Sequence, residues 1–507
     1  MNLSIQNLLI LILILMAACS PARAPFQKDT LVVAIDQAPV NLDPRIGIDK
    51  TSDDFHHLLY NGLMRKNEDD RMVPDLASSW KLVNPRLYRF YLKSGVRFHN
   101  GKTLTAKDVV FTYQSMLSGS IITAKKASLE SIAEIRAVDP HIVEVKLHQP
   151  FNGLIYNMNI GIIPVGSGNE FARNPIGTGP YKLISYQADA AAVLQSFENY
   201  FEGAPKIRNL KIRIIPDATT RVLEIRKGTV DLLLGPAAVP PDYFKVLRNN
   251  PDLKTLTRTG SNYSYVAFNL KDPLLKQREV RLAIAHAIRR DEIIQSLFHG
   301  TATPATGLLP PHNWAYEKEV LNISYNPEKA KKILEDAGFR DPDGAGQAMR
   351  FWLTLKTSTS EFRRIVATVI QKNLAAIGVG LNIRSYEFGT YFSDVNRGNF
   401  QMCMLMWVGE SDPDIYSTAF STTGPRNRGK YTNADVDAWI QEARQSQTEN
   451  EQIHFYSLIQ KKLAEDAPYI SLWYEPNLCI MRRELQGMKL TPDSNFRVLK
   501  DVYWEEN

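Results

Sequence analysis

The chain has 507 residues, 44% of them hydrophobic and 22% charged, which is more than one hydrophobic core usually holds, so two or three domains are expected. Its formal net charge is only +6, and basic residues alternate with acids, as in Lys28–Asp29 and Arg290–Asp291–Glu292; this is a solvated surface, not a nucleic-acid footprint. The only cysteines are Cys19, Cys403 and Cys479, too few to scaffold the fold with disulfides, so its stability must come from buried area.

The first element is an apolar run from Leu8 to Ala18. It is shorter than the roughly 20 residues that a bilayer-spanning helix needs and fits the core of a secretory signal peptide over residues 1–18. Small residues, Ala17 and Ala18, precede Cys19, and L-M-A-A-C resembles the lipobox of bacterial lipoproteins, in which the cysteine is lipidated and becomes the new N-terminus. The first seven residues carry no Lys or Arg, a departure from the usual basic start. Residues 19–27 then read as a lipidated tether.

From Thr30 strand-like and helix-like pieces alternate. TLVVAID is a buried strand, and SDDFHHLLYNGL is a helix with Ser52 as candidate N-cap and Phe55, Leu58 and Leu59 on one face. LYRFYLKSG is a strand, HNGK a turn, and TAKDVVFTYQSML a helix opened by Thr105 with Asp108 three residues on. HIVEVKL and LKIRII alternate as half-buried strands. DATTRVLEIRKG runs as a helix from an Asp cap to Gly228. REVRLAIAHAIRRDEIIQSLFHG reads as one long helix stopping at Gly300, and NPEKAKKILEDAG has Asn326 as cap and Pro327 at the first helical position. After the helix EFRRIVATVIQKNLAAIG come the strand VGLNIRSYEF and the doubly apolar FQMCMLMWVG, which should be a central strand with Cys403 as a small buried thiol; a bond to Cys479 stays open. Two helices, around Val436–Gln445 and Gln452–Glu465, precede the strand YISLWYE. The class is α/β with mixed sheets and no internal repeat.

Catalytic motifs are missing. Gly95 to Thr103 approaches the phosphate-binding G-x-x-x-x-G-K-[ST], but five residues separate its glycines and two of them, Val96 and Phe98, are apolar, so a turn is expected. There is no H-E-x-x-H, G-x-S-x-G or C-x-x-C. His56 and His57 are adjacent and point about 100° apart on a helix, so they cannot face one metal ion together. No cofactor and no metal site is expected, and the chain does not read as an enzyme.

Several segments, in order, are similar to the bacterial extracellular solute-binding proteins of family 5, the oligopeptide-, dipeptide- and nickel-type receptors of ABC importers. They are NLDPRIGIDKTSDDFHHLLYNGL, VPDLASSWKL, YRFYLKSGVRFHNGKTLTAKDVVFTYQSM, NPIGTGPYKL, YVAFNLKDPLLKQREVRLAIAHAIRRDEI, YNPEKAKKILEDAGF and MLMWVGESDPDIYSTAF. F-H-N-G-K-T-L-T-A-K-D-V-V is the most specific piece.

The resemblance implies a two-lobed periplasmic-binding-protein-like fold (type II, cluster C) with a hinge and an extra domain on lobe I. By analogy lobe I is 28–52, 176–265 and 478–507, the extra domain is 53–175, and lobe II is 266–477. It also implies a monomeric, exported lipoprotein on the periplasmic or extracellular face that passes short peptides to a permease and ATPase complex, with Cys19 as the lipid tether. In peptide-binding relatives the ligand lies extended between the lobes like an added strand. Its α-amino group meets an acid at the position of Glu410, where relatives carry Asp; Asp412 is the fallback. Trp407 is a candidate cleft wall. Arg364, or its neighbour Arg363, corresponds to the arginine that grips the ligand carboxylate in dipeptide-type members. Arg384 and Tyr386 are weaker candidates. A nickel-chelate or haem receptor on the same scaffold is the alternative, and a signalling receptor or an enzyme is a further one.

Overall fold

A computed structural model describes residues 29–235, 237–344, 346–409 and 411–505. The signal peptide expected over residues 1–18, the tether cysteine Cys19 and Glu410 lie outside the described residues. One sheet of eleven strands, in the described residues, runs through both lobes. The first lobe contributes Thr30–Ile35, parallel to Asn209–Ile214 and to Leu232–Leu234. The second contributes Met402–Trp407, paired antiparallel to the Leu253–Phe268 strand, and Phe351–Ser358 parallel to Val379–Tyr386.

Two long strands, Leu253–Phe268 and Tyr469–Arg482, lie antiparallel and cross from one lobe to the other. Their pairing breaks between Thr259 and Tyr263. Gly260 stands in that break, where an added Cβ would lie 2.8 Å from the Glu475 carbonyl oxygen, so only glycine lets the strands approach there. On one side of the break Leu253, Leu478 and Ile480 join the core of the first lobe; on the other, Tyr263, Tyr265 and Tyr474 join a core of the second. This is the hinge geometry of a two-lobed protein. Cys403 and Cys479 are both free and buried.

A separate four-stranded antiparallel sheet, Ala77–Asn84, Leu87–Leu92, Ile142–Leu147 and Ile132–Asp139, packs its inner face on the helix Ala106–Leu117 and forms its own core. That helix begins in the expected capping box between Thr105 and Asp108. The helix Lys50–Leu59 starts earlier than expected: Asp49, not Ser52, is its N-cap, because the Asp49 carboxylate accepts the Ser52 N–H at 2.9 Å. Its Phe55, Leu58 and Leu59 are buried in the first-lobe core with Leu31 and Leu210, so a domain boundary at 53 would cut a helix whose apolar face belongs wholly to that lobe. The long helix expected over 278–299 is two, Arg278–Ala287 and Arg290–Phe298. Ile288 is extended between them and buried, and the Arg289 N–H is taken by the Asn373 side chain instead of a helical carbonyl.

Residues 95–103 form a turn, with Val96 and Phe98 buried, and His99 pins it to the first lobe. His99 Nε2 lies 3.0 Å from the Gly179 carbonyl and must donate, while its Nδ1 accepts the Gly177 N–H at 3.3 Å. Gly177 and Gly179 permit this, since a Cβ on either would collide with the Leu59 and Leu58 carbonyl oxygens. The arrangement holds only for neutral imidazole, and burial pushes His99 down to about 4. A histidine depressed in the fold leaves more protons bound in the unfolded chain, so its stability contribution is lost as pH falls from about 6.5 through 4. Urea melts at pH 7 and 4.5 should show a loss of about 2 kcal/mol from this group. His99→Asn should flatten that slope.

Candidate functional site

A cavity of about 600 Å³, a size typical of small-ligand sites, is enclosed by the first lobe, the four-stranded domain and the tip of the second lobe. The helix Lys50–Leu59 supplies one wall. Lys50, Asp53, Asp54 and His57 fall at positions i, i+3, i+4 and i+7, so they share the face opposite the buried Phe55, Leu58 and Leu59 and point into the cavity. The loop Pro492–Asn495 adds Asp493, and the four-stranded domain adds Lys125, Tyr156 and Lys66. Asn262 of the hinge strand and Val408 and Gly409 of the second lobe complete it.

The wall carries both signs of charge. His57 Nε2 lies 3.4 Å from Asp53, and Lys50 pairs with Asp54. Burial opposes the charge of Asp53, but His57 and Lys50 outweigh it and hold the carboxyl well below its usual range, although half of the side chain faces the cavity. Burial likewise works against His57, and the Asp53 carboxylate overcomes it and raises the imidazole. Asp54 is more enclosed, 11% exposed, so burial dominates its ion pair and pushes it up to about 7, whereas the half-exposed Lys50 keeps its charge. Burial lowers Lys125, whose ammonium donates to the Pro44 carbonyl at 2.6 Å. His56 also borders the cavity but spends its Nε2 on the Asn41 carbonyl, at 3.1 Å. Among the described residues no group of three or more His, Cys, Asp or Glu side chains is placed to hold a metal ion.

A strand edge leads into this cavity. Met402–Trp407 is paired to Phe351–Ser358 only at Met402 and Cys403, so beyond them that edge has no strand partner among the described residues; the Met404 carbonyl is taken by the Arg363 and Tyr391 side chains, and the chain runs on to Val408 and Gly409 on the wall. Such an edge can take an extended ligand backbone. The Gly409 N–H donates to Asn262 Oδ1 at 3.0 Å, and Asn262 Nδ2 donates to Glu475 at 3.3 Å, so the wall segment is tied to the hinge.

Over residues 71–428 the sequence matches the bacterial extracellular solute-binding proteins, family 5 Middle. The chain belongs to this family. The oligopeptide-binding protein AppA of Bacillus subtilis is 29% identical over 527 residues, covering 97% of this chain and 96% of the relative. The dipeptide-binding protein of Escherichia coli is 27% identical, covering 97% and 98%. Heme-binding protein A of Haemophilus influenzae is 28% identical, covering 92% and 90%. The solved structure of Bacillus subtilis AppA in complex with a nonapeptide superposes with a TM-score of 0.73 at 28% identity, covering 96% of this chain and all of that one.

Of the sequence-predicted residues of this family 5 protein that are described, Asp412, Trp407, Arg364 and the weaker Arg363, Arg384 and Tyr386, none lines the cavity. Gly409 stands at its second-lobe wall, and Ser411, two residues further along the chain, is buried outside the lining. Asp412 lies one step further on, where its Oδ1 accepts the Asp414 N–H at 2.9 Å and its carbonyl accepts the Ile415 N–H at 3.0 Å, turning the chain into the helix Ile415–Phe420. Trp407 alternates with Leu405 and Cys403 into the second-lobe core, stacks on Tyr265 at 6.4 Å and lies beneath the guanidiniums of Arg426 and Arg428, at 5.6 and 5.7 Å. Arg364 is exposed on its helix, whereas Arg363 reaches the strand edge and donates to the Met404 carbonyl at 2.9 Å. Arg384 is exposed at the end of its strand, and Tyr386 lies under the Lys356 ammonium at 5.4 Å.

The Lys50–His57 stripe, Lys125, Tyr156 and Asp493 were not singled out from the sequence. The i, i+3, i+4, i+7 spacing of the stripe was a readable signal. The others are brought to the cavity only by tertiary folding.

Proposed function

We propose that this family 5 protein captures short peptides between its lobes and delivers them to the permease and ATPase of an ABC importer. The observation that carries the reading is the cavity itself: a wall bearing both signs of charge meets an unpaired strand edge, which suits a ligand with an ammonium, a carboxylate and a peptide backbone. Relatives named for oligopeptide and dipeptide binding, and the AppA–nonapeptide complex, support the substrate class. Ligand touching both lobes favours the closed arrangement about the strands near Gly260, and the permease reads that shape. Cys19 is the lipid tether that keeps the receptor beside the membrane after removal of residues 1–18. Among the described residues no helix is long and apolar enough to cross a membrane. Glu410 receives the ligand's α-amino group, and Arg363 or Arg364 its carboxylate.

Native mass spectrometry of residues 20–507, purified without refolding, tests the reading. A spread of adducts with masses of short peptides is the expected result. A haem relative and the wall histidine His57 favour one second reading, a metal-chelate ligand. A single metal-containing adduct lost on treatment with a chelator would establish that reading and overturn the first. Release of chemically altered adducts would point to an enzyme instead.

A further inference from the structure

The hairpin Met64–Lys66 and Met72–Pro74 has two ends with different company. Its Arg65 and Lys66 line the cavity, while its turn, residues 67–71, meets the second lobe. The turn is rigid: Asn67 Oδ1 accepts the N–H groups of Asp69 and Arg71, each at 2.9 Å, and Asp70 sits at φ +59° with 2% exposure. A second-lobe loop, residues 310–316, closes on it. The Trp314 N–H donates to the Asp69 carbonyl at 3.2 Å, and His312 Nε2 lies 3.0 Å from the Asp70 carboxylate.

Between these two loops stands Tyr156. Its hydroxyl accepts the Trp314 indole N–H at 2.7 Å and donates to the Asp70 carbonyl at 3.3 Å, so one oxygen joins the second lobe to the hairpin. Burial raises the phenol well above its ordinary value, which keeps the proton that the second bond needs. The side chain of Tyr156 also lines the cavity. The same second-lobe loop is also held from its other side, since the buried Asn313 donates to the Ser411 carbonyl at 2.7 Å, two residues along the chain from the wall residue Gly409. A set of contacts therefore runs from Ser411 through Asn313 and its neighbour Trp314 to Tyr156, which itself lines the cavity.

We propose that Tyr156 is a coupling residue that holds the second lobe closed over the ligand, through Trp314 and Asp70. The proposal rests on the reading of the cavity as the peptide site. Ligand packed against the ring fixes the hydroxyl between its two partners, and the bonds it makes exist only in the closed arrangement; in the open one water serves both partners. Tyr156→Phe keeps the ring and the shape of the wall but leaves a half-buried indole N–H without its partner, so its effect falls on the closed state alone.

The test uses the soluble chain and an alanine-based tripeptide library. Tyr156→Phe is expected to release peptide about tenfold faster while association stays within about twofold of the wild type. Without peptide, small-angle X-ray scattering should show the variant with a larger radius of gyration. Trp314→Phe, which removes the same bond from its other side, should do likewise, and the double variant should be no worse than either single one. Equal shifts in both rate constants, or wild-type release together with a wild-type radius, would overturn the proposal. Failure of the wild type to bind any tripeptide would instead sink the peptide reading, while the peptide-free scattering comparison would still decide the latch.

Discussion

Arg497→Leu is expected to destabilise the protein by about 3–5 kcal/mol, a large part of the stability of an ordinary domain. The Arg497 guanidinium grips Asp75 with two parallel bonds, Nη1 to Oδ2 and Nη2 to Oδ1, both 2.8 Å. Burial works against that charge, but the Asp75 carboxylate outweighs it and holds the guanidinium above its ordinary value. Asp75 is 1% exposed and belongs to the four-stranded domain, whereas Arg497 lies in the segment Phe496–Asp501 of the first lobe, so the pair clasps two bodies together beside the cavity. Among the described residues, leucine would leave the carboxylate with the Asn61 amide, at 3.0 Å, and Arg65 at 3.9 Å. The cost comes from that stranded charge, not from the lost attraction. Arg497→Leu combined with Asp75→Asn should therefore be distinctly more stable than Arg497→Leu alone. Urea unfolding followed by tryptophan fluorescence measures both; a single variant as stable as the wild type, or a double variant worse than the single, would refute the account.

That clasp marks the limit of what the sequence could reveal. Signals that act within a few residues were legible: Thr105 with Asp108, Asn326 before Pro327, and Gly228 in the left-handed conformation after its helix all stand at the ends of helices as expected. So was the buried pair Val96 and Phe98, which marks a turn rather than a phosphate loop. Where two local signals competed, the sequence was ambiguous. Asp49 and Ser52 are both good caps, and the carboxylate won by taking the Ser52 N–H; the apolar period through Ile288 continued across a break set by Asn373 from a distant helix. Nothing local pairs Asp75 with Arg497, 422 residues away, or brings Asp493 opposite Lys50. Similarity to family 5 proteins gave the architecture, but the charged wall had to be read from the fold.

Replacing Glu410 with glutamine is expected to weaken binding of a free-amine tripeptide about thirtyfold or more, because an ammonium taken out of water would lose its counter-charge. Its neighbours in the chain are fixed: the wall residue Gly409 bonds Asn262, and the Ser411 carbonyl is held by Asn313. Asp412→Asn offers the contrast. Its carboxylate caps the Asp414 N–H, a bond that asparagine can also make, so a modest effect on ligand affinity is expected. Blocking the peptide's amine gives a sharper comparison than affinity alone. The wild type should discriminate strongly between a tripeptide and its N-acetyl form, and Glu410→Gln should bind the two almost equally, because discrimination requires both charges. Calorimetric titration of the four combinations measures this coupling. If the variant still discriminates as strongly as the wild type, the ammonium lies elsewhere on the wall, and Asp53 and Asp493, which already face the cavity, become the carboxylates to replace next.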